Sequence, residues 1–109
     1  MIYKILRPTE WSQFESDGRF GGSPDDRRDG FIHCSSREQV GATAARFFFD
    51  EPNLVVVAID ERPLGDLVRW EPASNGELFP HLYASLGRDA IVDVHHLEGA
   101  SKVEEILHP

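Results

Sequence analysis

Three features of this sequence predict an α+β fold, in which two helices pack on a mixed or antiparallel sheet that is whole or split. Residues 54–59, Leu-Val-Val-Val-Ala-Ile, form an unbroken apolar, β-branched run, as a strand covered on both faces requires. Two early segments, 9–17 and 36–49, combine helix-start signals with helical spacing of apolar residues. From Leu67 onward the chain reads as short strands punctuated by Pro and Gly, so a regular alternation of strand and helix fails in the second half.

Each element follows from its residues. Ile2 to Leu6 is rich in β-formers and reads as a first strand. Pro8-Thr9 opens a short helix with Thr9 as its cap and Trp11 and Phe14 on its apolar side; Gly18 ends it. Residues 21–30 lack periodicity and contain three Gly and one Pro, which predicts a long loop with a solvated Asp-Asp-Arg-Arg-Asp run. Phe31 to Cys34 is a short strand. Ser35-x-x-Glu38 has capping-box spacing, and Val40, Ala44, Phe47 and Phe48 make one stripe, so a helix is expected over 36–49 with Phe47-Phe48-Phe49 in the core. Residues 61–66 are a turn. Residues 67–71 alternate, with Val68 and Trp70 on one face and Arg69 and Glu71 on the other. Residues 79–83 are extended, and Pro80 assigns them to an edge or sheet end. Residues 91–97 are a last strand, and Ser101-Lys102-Val103-Glu104 starts a final helical turn.

Size and charge bound the function. The 109 residues make one domain, with 40% apolar residues for a single small core. Eleven Lys and Arg against 19 Asp and Glu leave a net charge of −8. Such a field repels phosphate backbones, so general nucleic-acid binding is disfavoured, while a small phosphate-bearing ligand in a local pocket is still admitted. The single cysteine, Cys34, rules out an internal disulfide and a Cys-based zinc site. No apolar run approaches the ~18 residues of a membrane span, and the first residues lack signal-peptide character. A cytoplasmic protein with no membrane partner is expected.

Chemistry concentrates in two matching segments. Phe31-x-His33-x-Ser35 and Phe79-x-His81-x-Tyr83 each place an aromatic ring, an imidazole and a hydroxyl at alternate positions, which share one face of an extended chain. His33 also precedes a helix start, where free amides attract phosphate or ribose oxygens. Taken singly, each residue has a plainer account: a hydrogen-bonded structural His, Ser35 as a helix cap, Tyr83 filling a core edge, Trp70 in the core and Glu71 as a solvated carboxylate. His95 and His96 point to opposite faces of a regular strand and cannot chelate together. Cys34 lies on the face opposite His33 and reads as a small buried apolar residue.

Taken together, Gly30-Phe31-Ile32-His33-Cys34-Ser35, the helix with Gln39 and Arg46-Phe47-Phe48, Leu67-Val68-Arg69-Trp70-Glu71, and Phe79-Pro80-His81-Leu82-Tyr83 resemble the signature of a small bacterial family. Ile2-Tyr3-Lys4-Ile5 and Trp11 fit the same pattern, and the chain is identified as a member of domain-of-unknown-function family 952. That family is biochemically uncharacterised, and its fold is similar to the ADP-ribosylation fold of ADP-ribosyltransferases and RNA 2′-phosphotransferases. The resemblance implies a mixed, split sheet with a cleft, binding of NAD or an ADP-ribose-like nucleotide, and ADP-ribosyl or glycosyl transfer. It implies His33 near a ribose, Glu71 as the carboxylate that stabilises an oxocarbenium-like state, and Tyr83 or Trp70 as a stacking group. His33, Ser35, Trp70, His81 and Tyr83 are thus the expected ligand-binding residues, with Glu71 and His33 catalytic and NAD the expected substrate. The late Glu-x-Glu or Gln-x-Glu turn of such transferases is absent, and Ala84-Ser85-Leu86 stands where relatives tend to have Gly-Pro. Two alternatives stay open: a non-catalytic binding module with structural histidines, and a metal-assisted hydrolase using His33 and His81.

Overall fold

In a computed structural model, residues 1–107 are described. Strand β1 (Ile2–Leu6) leads into helix α1 (Pro8–Asp17), then β2 (Arg19–Phe20) and a second helix, α2 (Pro24–Asp29). Strand β3 (Ile32–His33) precedes helix α3 (Arg37–Phe47) and strand β4 (Leu54–Ile59). The second half holds β5 (Val68–Pro72), β6 (Leu78–Leu82), β7 (Leu86–Gly87), β8 (Ile91–Leu97) and helix α4 (Ser101–Leu107), with 3₁₀ turns over Arg62–Leu67 and Arg88–Ala90. No helix among the described residues is long and apolar enough to cross a membrane.

The α+β expectation holds, and the sheet is split. Strands order as β1-β4-β8 and β3-β6-β5, with a separate β2-β7 pair. Every pairing is antiparallel, which corrects the expectation of a mixed sheet. The two three-stranded sheets meet where Tyr3 and Ser35 exchange both backbone hydrogen bonds, at 2.8 and 2.9 Å.

Strand β4 is central and wholly buried, as its apolar run predicts. Val55, Val57 and Ile59 face one core with Trp11 and Phe14 of α1 and with Ile32 and Leu82 of the other sheet. Val56 and Ala58 face the opposite core with Val40 and Ala44 of α3 and Val103 of α4. Burying apolar area on both faces makes β4 the element that ties the two layers together.

Local chemistry explains where the elements depart from expectation. Helix α1 starts two residues earlier than a Thr9 cap would set it: Arg7 is the cap, Pro8 the first residue, and the Glu10 carboxylate accepts from the Arg7 amide at 2.8 Å. Helix α2 replaces the predicted loop. Ser23 caps it, accepting from the Asp26 N–H at 3.2 Å, while Asp26 reciprocates by accepting from the Ser23 N–H at 2.9 Å. Pro24 at the first turn and left-handed Gly30 at the end complete it. The α3 cap is Ser36, bonded reciprocally with Gln39, rather than Ser35 with Glu38. That helix therefore closes at Phe47, and the aromatic triplet is not all core: Phe47 is 60% and Phe49 74% exposed, and only Phe48 packs against the interior. Strand β6, expected at an edge or sheet end because of Pro80, is the middle strand of its sheet. The Pro80 carbonyl accepts from the Cys34 N–H at 3.0 Å just past the end of β3. In a strand, N–H and C=O of one residue point the same way, so the missing donor falls where the neighbouring strand has run out.

Candidate functional site

The sheet β3-β6-β5 has one face in the core and one turned outward. Ile32, Leu82 and Pro80 are buried on the inner face. By strand alternation His33, His81, Tyr83, Arg69 and Glu71 share the outer one, and Phe31 joins them as the chain leaves left-handed Gly30. The register sets His33 directly across from His81, and His81 across from Arg69. Two imidazoles 48 positions apart in the chain thus have ring centroids 5.7 Å apart. Phe31 stacks on His81 at 3.9 Å and lies 5.3 Å from the Tyr83 ring.

Carboxylates orient both histidines. Glu71 Oε1 lies 2.8 Å from His81 Nδ1 and accepts from the Tyr83 hydroxyl at 2.6 Å. The Tyr83 hydroxyl, and after it His81, hold the Glu71 carboxyl below the usual carboxylate range, while the same bond raises the Tyr83 phenol above its ordinary value. With Nδ1 turned to Glu71, His81 keeps Nε2 uncommitted. The arrangement is that of an oriented acid–base imidazole beside an ionised carboxylate.

His33 is held from both sides. Its Nδ1 is 2.6 Å from Asp26 Oδ1 and its Nε2 is 2.9 Å from Asp29 Oδ2. Asp26, only 2% exposed, is the hub. It accepts from the His33 backbone N–H at 3.1 Å and pairs with the buried Lys4 ammonium at 2.9 Å. Lys4 in turn donates to the His33 carbonyl at 2.9 Å. Burial pushes the Asp26 carboxyl up, but His33, Lys4 and the Ser23 and His33 amides outweigh it and hold it well below the usual carboxylate range. Sequence reasoning placed Asp26 in a solvated loop. The Ser-Pro-x-Asp start of α2 was the signal that could have found it, since a capping-box acid is tied down by its own helix.

Two expected site residues lie elsewhere. The Ser35 hydroxyl is buried against Thr43 of α3 at 3.3 Å, because the backbone at Ser35 has already passed to the edge of β1. Trp70 sits opposite Pro80 on the other side of β5 and is 45% exposed, neither core nor part of the histidine cluster. The Tyr83 ring is covered by the Arg69 guanidinium, 4.6 Å from its centroid. Among the described residues no group of three or more His, Cys, Asp or Glu is arranged to hold a metal ion. Two concavities lie away from the cluster. One, about 300 Å³, sits between α1, β2 and α2 beside Phe20 and Arg27. The other, about 680 Å³, sits between α1 and β8 beside Trp11 and His96.

Cys34 is buried next to this site, and burial pushes its thiol up to about 12. A thiol so placed stays protonated and shielded. The expected result is that a disulfide reagent at about pH 8 labels Cys34 only after denaturant unfolds the chain. Rapid labelling of the folded protein would contradict this burial.

The fold and the aligned residues have counterparts. The model of one protein family, described as "Protein of unknown function (DUF952)", matches residues 5–94. The crystal structure of protein CC0527 from Caulobacter crescentus is similar at 39% identity, with a TM-score of 0.91 over 99% of this chain and 98% of that one. The solution NMR structure of CC0527 is similar at 40% identity, with a TM-score of 0.87 over 98% and 96% of the two chains. No curated protein matches.

Proposed function

The chain belongs to the family of proteins of unknown function DUF952, and from that premise we propose that its outer-face cluster binds an ADP-ribose-like nucleotide, NAD among them, and acts on the ribosyl bond. The observation that carries this reading is the convergence of Glu71, Tyr83, His81, His33 and Phe31 on one half-open sheet face. Glu71 is ionised, and its second oxygen has no partner among the described residues, so it accepts a ribose hydroxyl without breaking an existing bond. In the reaction the bond from ribose C1′ to the nicotinamide nitrogen breaks, and its electron pair leaves with nicotinamide. Glu71 stabilises the positive charge left on the ribose. Water adds to C1′ and gives its proton to His81 Nε2, the nitrogen that Glu71 leaves free. His33 meets the ribose through the nitrogen it otherwise turns to Asp29, and the Phe31 ring supplies an apolar wall.

Thermal denaturation with ADP-ribose, NAD and nicotinamide tests the reading. A ligand at about 100 times its dissociation constant adds about 2.7 kcal/mol to the folded state, a clear rise in Tm. A rise with ADP-ribose or NAD that His33→Ala abolishes supports the site. No rise with any of the three at millimolar concentration sinks it, and binding of NAD without release of nicotinamide reduces the protein to a binding module.

A further inference from the structure

Each carboxylate of the outer face is engaged at close range by a partner other than Arg69. Asp26 is matched by Lys4 at 2.9 Å, Asp29 by Arg28 at 3.1 Å, and Glu71 by the Tyr83 hydroxyl and His81. Arg69 is left over. Its guanidinium rests on the Tyr83 ring at 4.6 Å, and among the described residues no carboxylate stands within ion-pair distance of it. The ring fixes the plane of the guanidinium while leaving its N–H donors to solvent. The cross-strand register then puts this preset fork in one row with His81 and His33. His81 Nε2 has no partner among the described residues either.

We infer that Arg69 forms a phosphate subsite beside His81, in which the guanidinium binds two oxygens of a phosphate or diphosphate group side by side. A planar fork held on an aromatic ring suits bidentate phosphate recognition, and little side-chain freedom remains to be lost on binding. The site deepens the nucleotide reading, since it names the part of the ligand that this end of the face recognises.

The test is an NMR titration of the histidine ring protons with inorganic pyrophosphate and, separately, with adenosine. Wild type is expected to show saturable shifts at His81 with pyrophosphate. Arg69→Gln is expected to weaken that binding at least about tenfold, the scale of one charge-assisted hydrogen bond. Arg69→Lys keeps the charge without the fork and is expected to recover only part of the loss. Arg69 is exposed, so both variants retain the fold, which the dispersion of the NMR spectrum verifies. Pyrophosphate binding that Arg69→Gln leaves unchanged, or no His81 shift, overturns the subsite. If adenosine alone shifts the His33 and His81 rings, the nucleotide reading stands and the phosphate subsite falls. If pyrophosphate alone binds and ADP-ribose binds no tighter, the subsite stands and the nucleotide reading falls.

Discussion

Asp26→Ala is expected to lower the unfolding free energy by about 3–5 kcal/mol, since it leaves a buried cation without its counter-charge. The Lys4 ammonium is buried, and its two partners are Asp26 and the His33 carbonyl. Removing the carboxylate also strips an acceptor from the Ser23 and His33 amides and leaves the His33 ring held by Asp29 alone. Against a total stability of roughly 5–15 kcal/mol, such a loss takes a small domain close to unfolding at ordinary temperature. Urea denaturation measures it. Lys4→Met in the same background should recover a large part of the loss, because the uncompensated charge goes with it. A single variant within 1 kcal/mol of wild type would mean that the pair is not buried as described.

The same carboxylate sets the acid limit of the fold. Its folded-state pKa lies below the ordinary value, so its contribution is complete above about pH 4 and is lost as pH falls from there toward the folded value. Stability of the wild type should therefore drop steeply below about pH 4, and the Lys4→Met/Asp26→Ala protein should show a shallower drop there.

Glu71→Gln is expected to reduce nicotinamide release from NAD by about 10²–10³, the cost of removing one electrostatic stabiliser from a developing charge. Nucleotide affinity should change far less, because the amide keeps an oxygen for the Tyr83 hydroxyl and presents its NH2 as a donor to a ribose oxygen. Glu71 is half-buried on the outer face, and the near-isosteric amide makes the substitution tolerable to the fold. Tyr83→Phe separates two roles of that carboxylate: it removes the hydroxyl donor while leaving His81 on Glu71. A Glu71→Gln protein that releases nicotinamide at the wild-type rate would assign the chemistry elsewhere.

Much of this site was legible from alternation alone. The spacing in Phe31-x-His33 and Phe79-x-His81-x-Tyr83 set these side chains on one face, and Arg69 and Glu71 followed from the neighbouring strand. Period-two arguments hold as long as the chain stays in one strand; Ser35 was lost because its backbone had already joined β1. Other features depend on tertiary context that no local pattern encodes. The sequence spacing pointed to Ser35 with Glu38 as the capping box, and the packed helix instead uses Ser36 with Gln39. Asp26 looked solvated among four charged neighbours, yet it is buried because Lys4 reaches it from a strand 22 residues away. Pro80 argued for an edge or sheet end, and the truncated β3 made a central position possible.

The direct pairing of His33 with His81 has a further implication. Hydrogen-bonded strands run about 4.8 Å apart in every protein, a constant of polypeptide geometry that side-chain substitution does not alter. The backbone therefore bounds the gap between the two imidazoles, and Asp26, Asp29 and Glu71 set the rings within it. Sequences that diverge around it inherit the same gauge for whatever molecule they grip, provided these two short strands stay zipped.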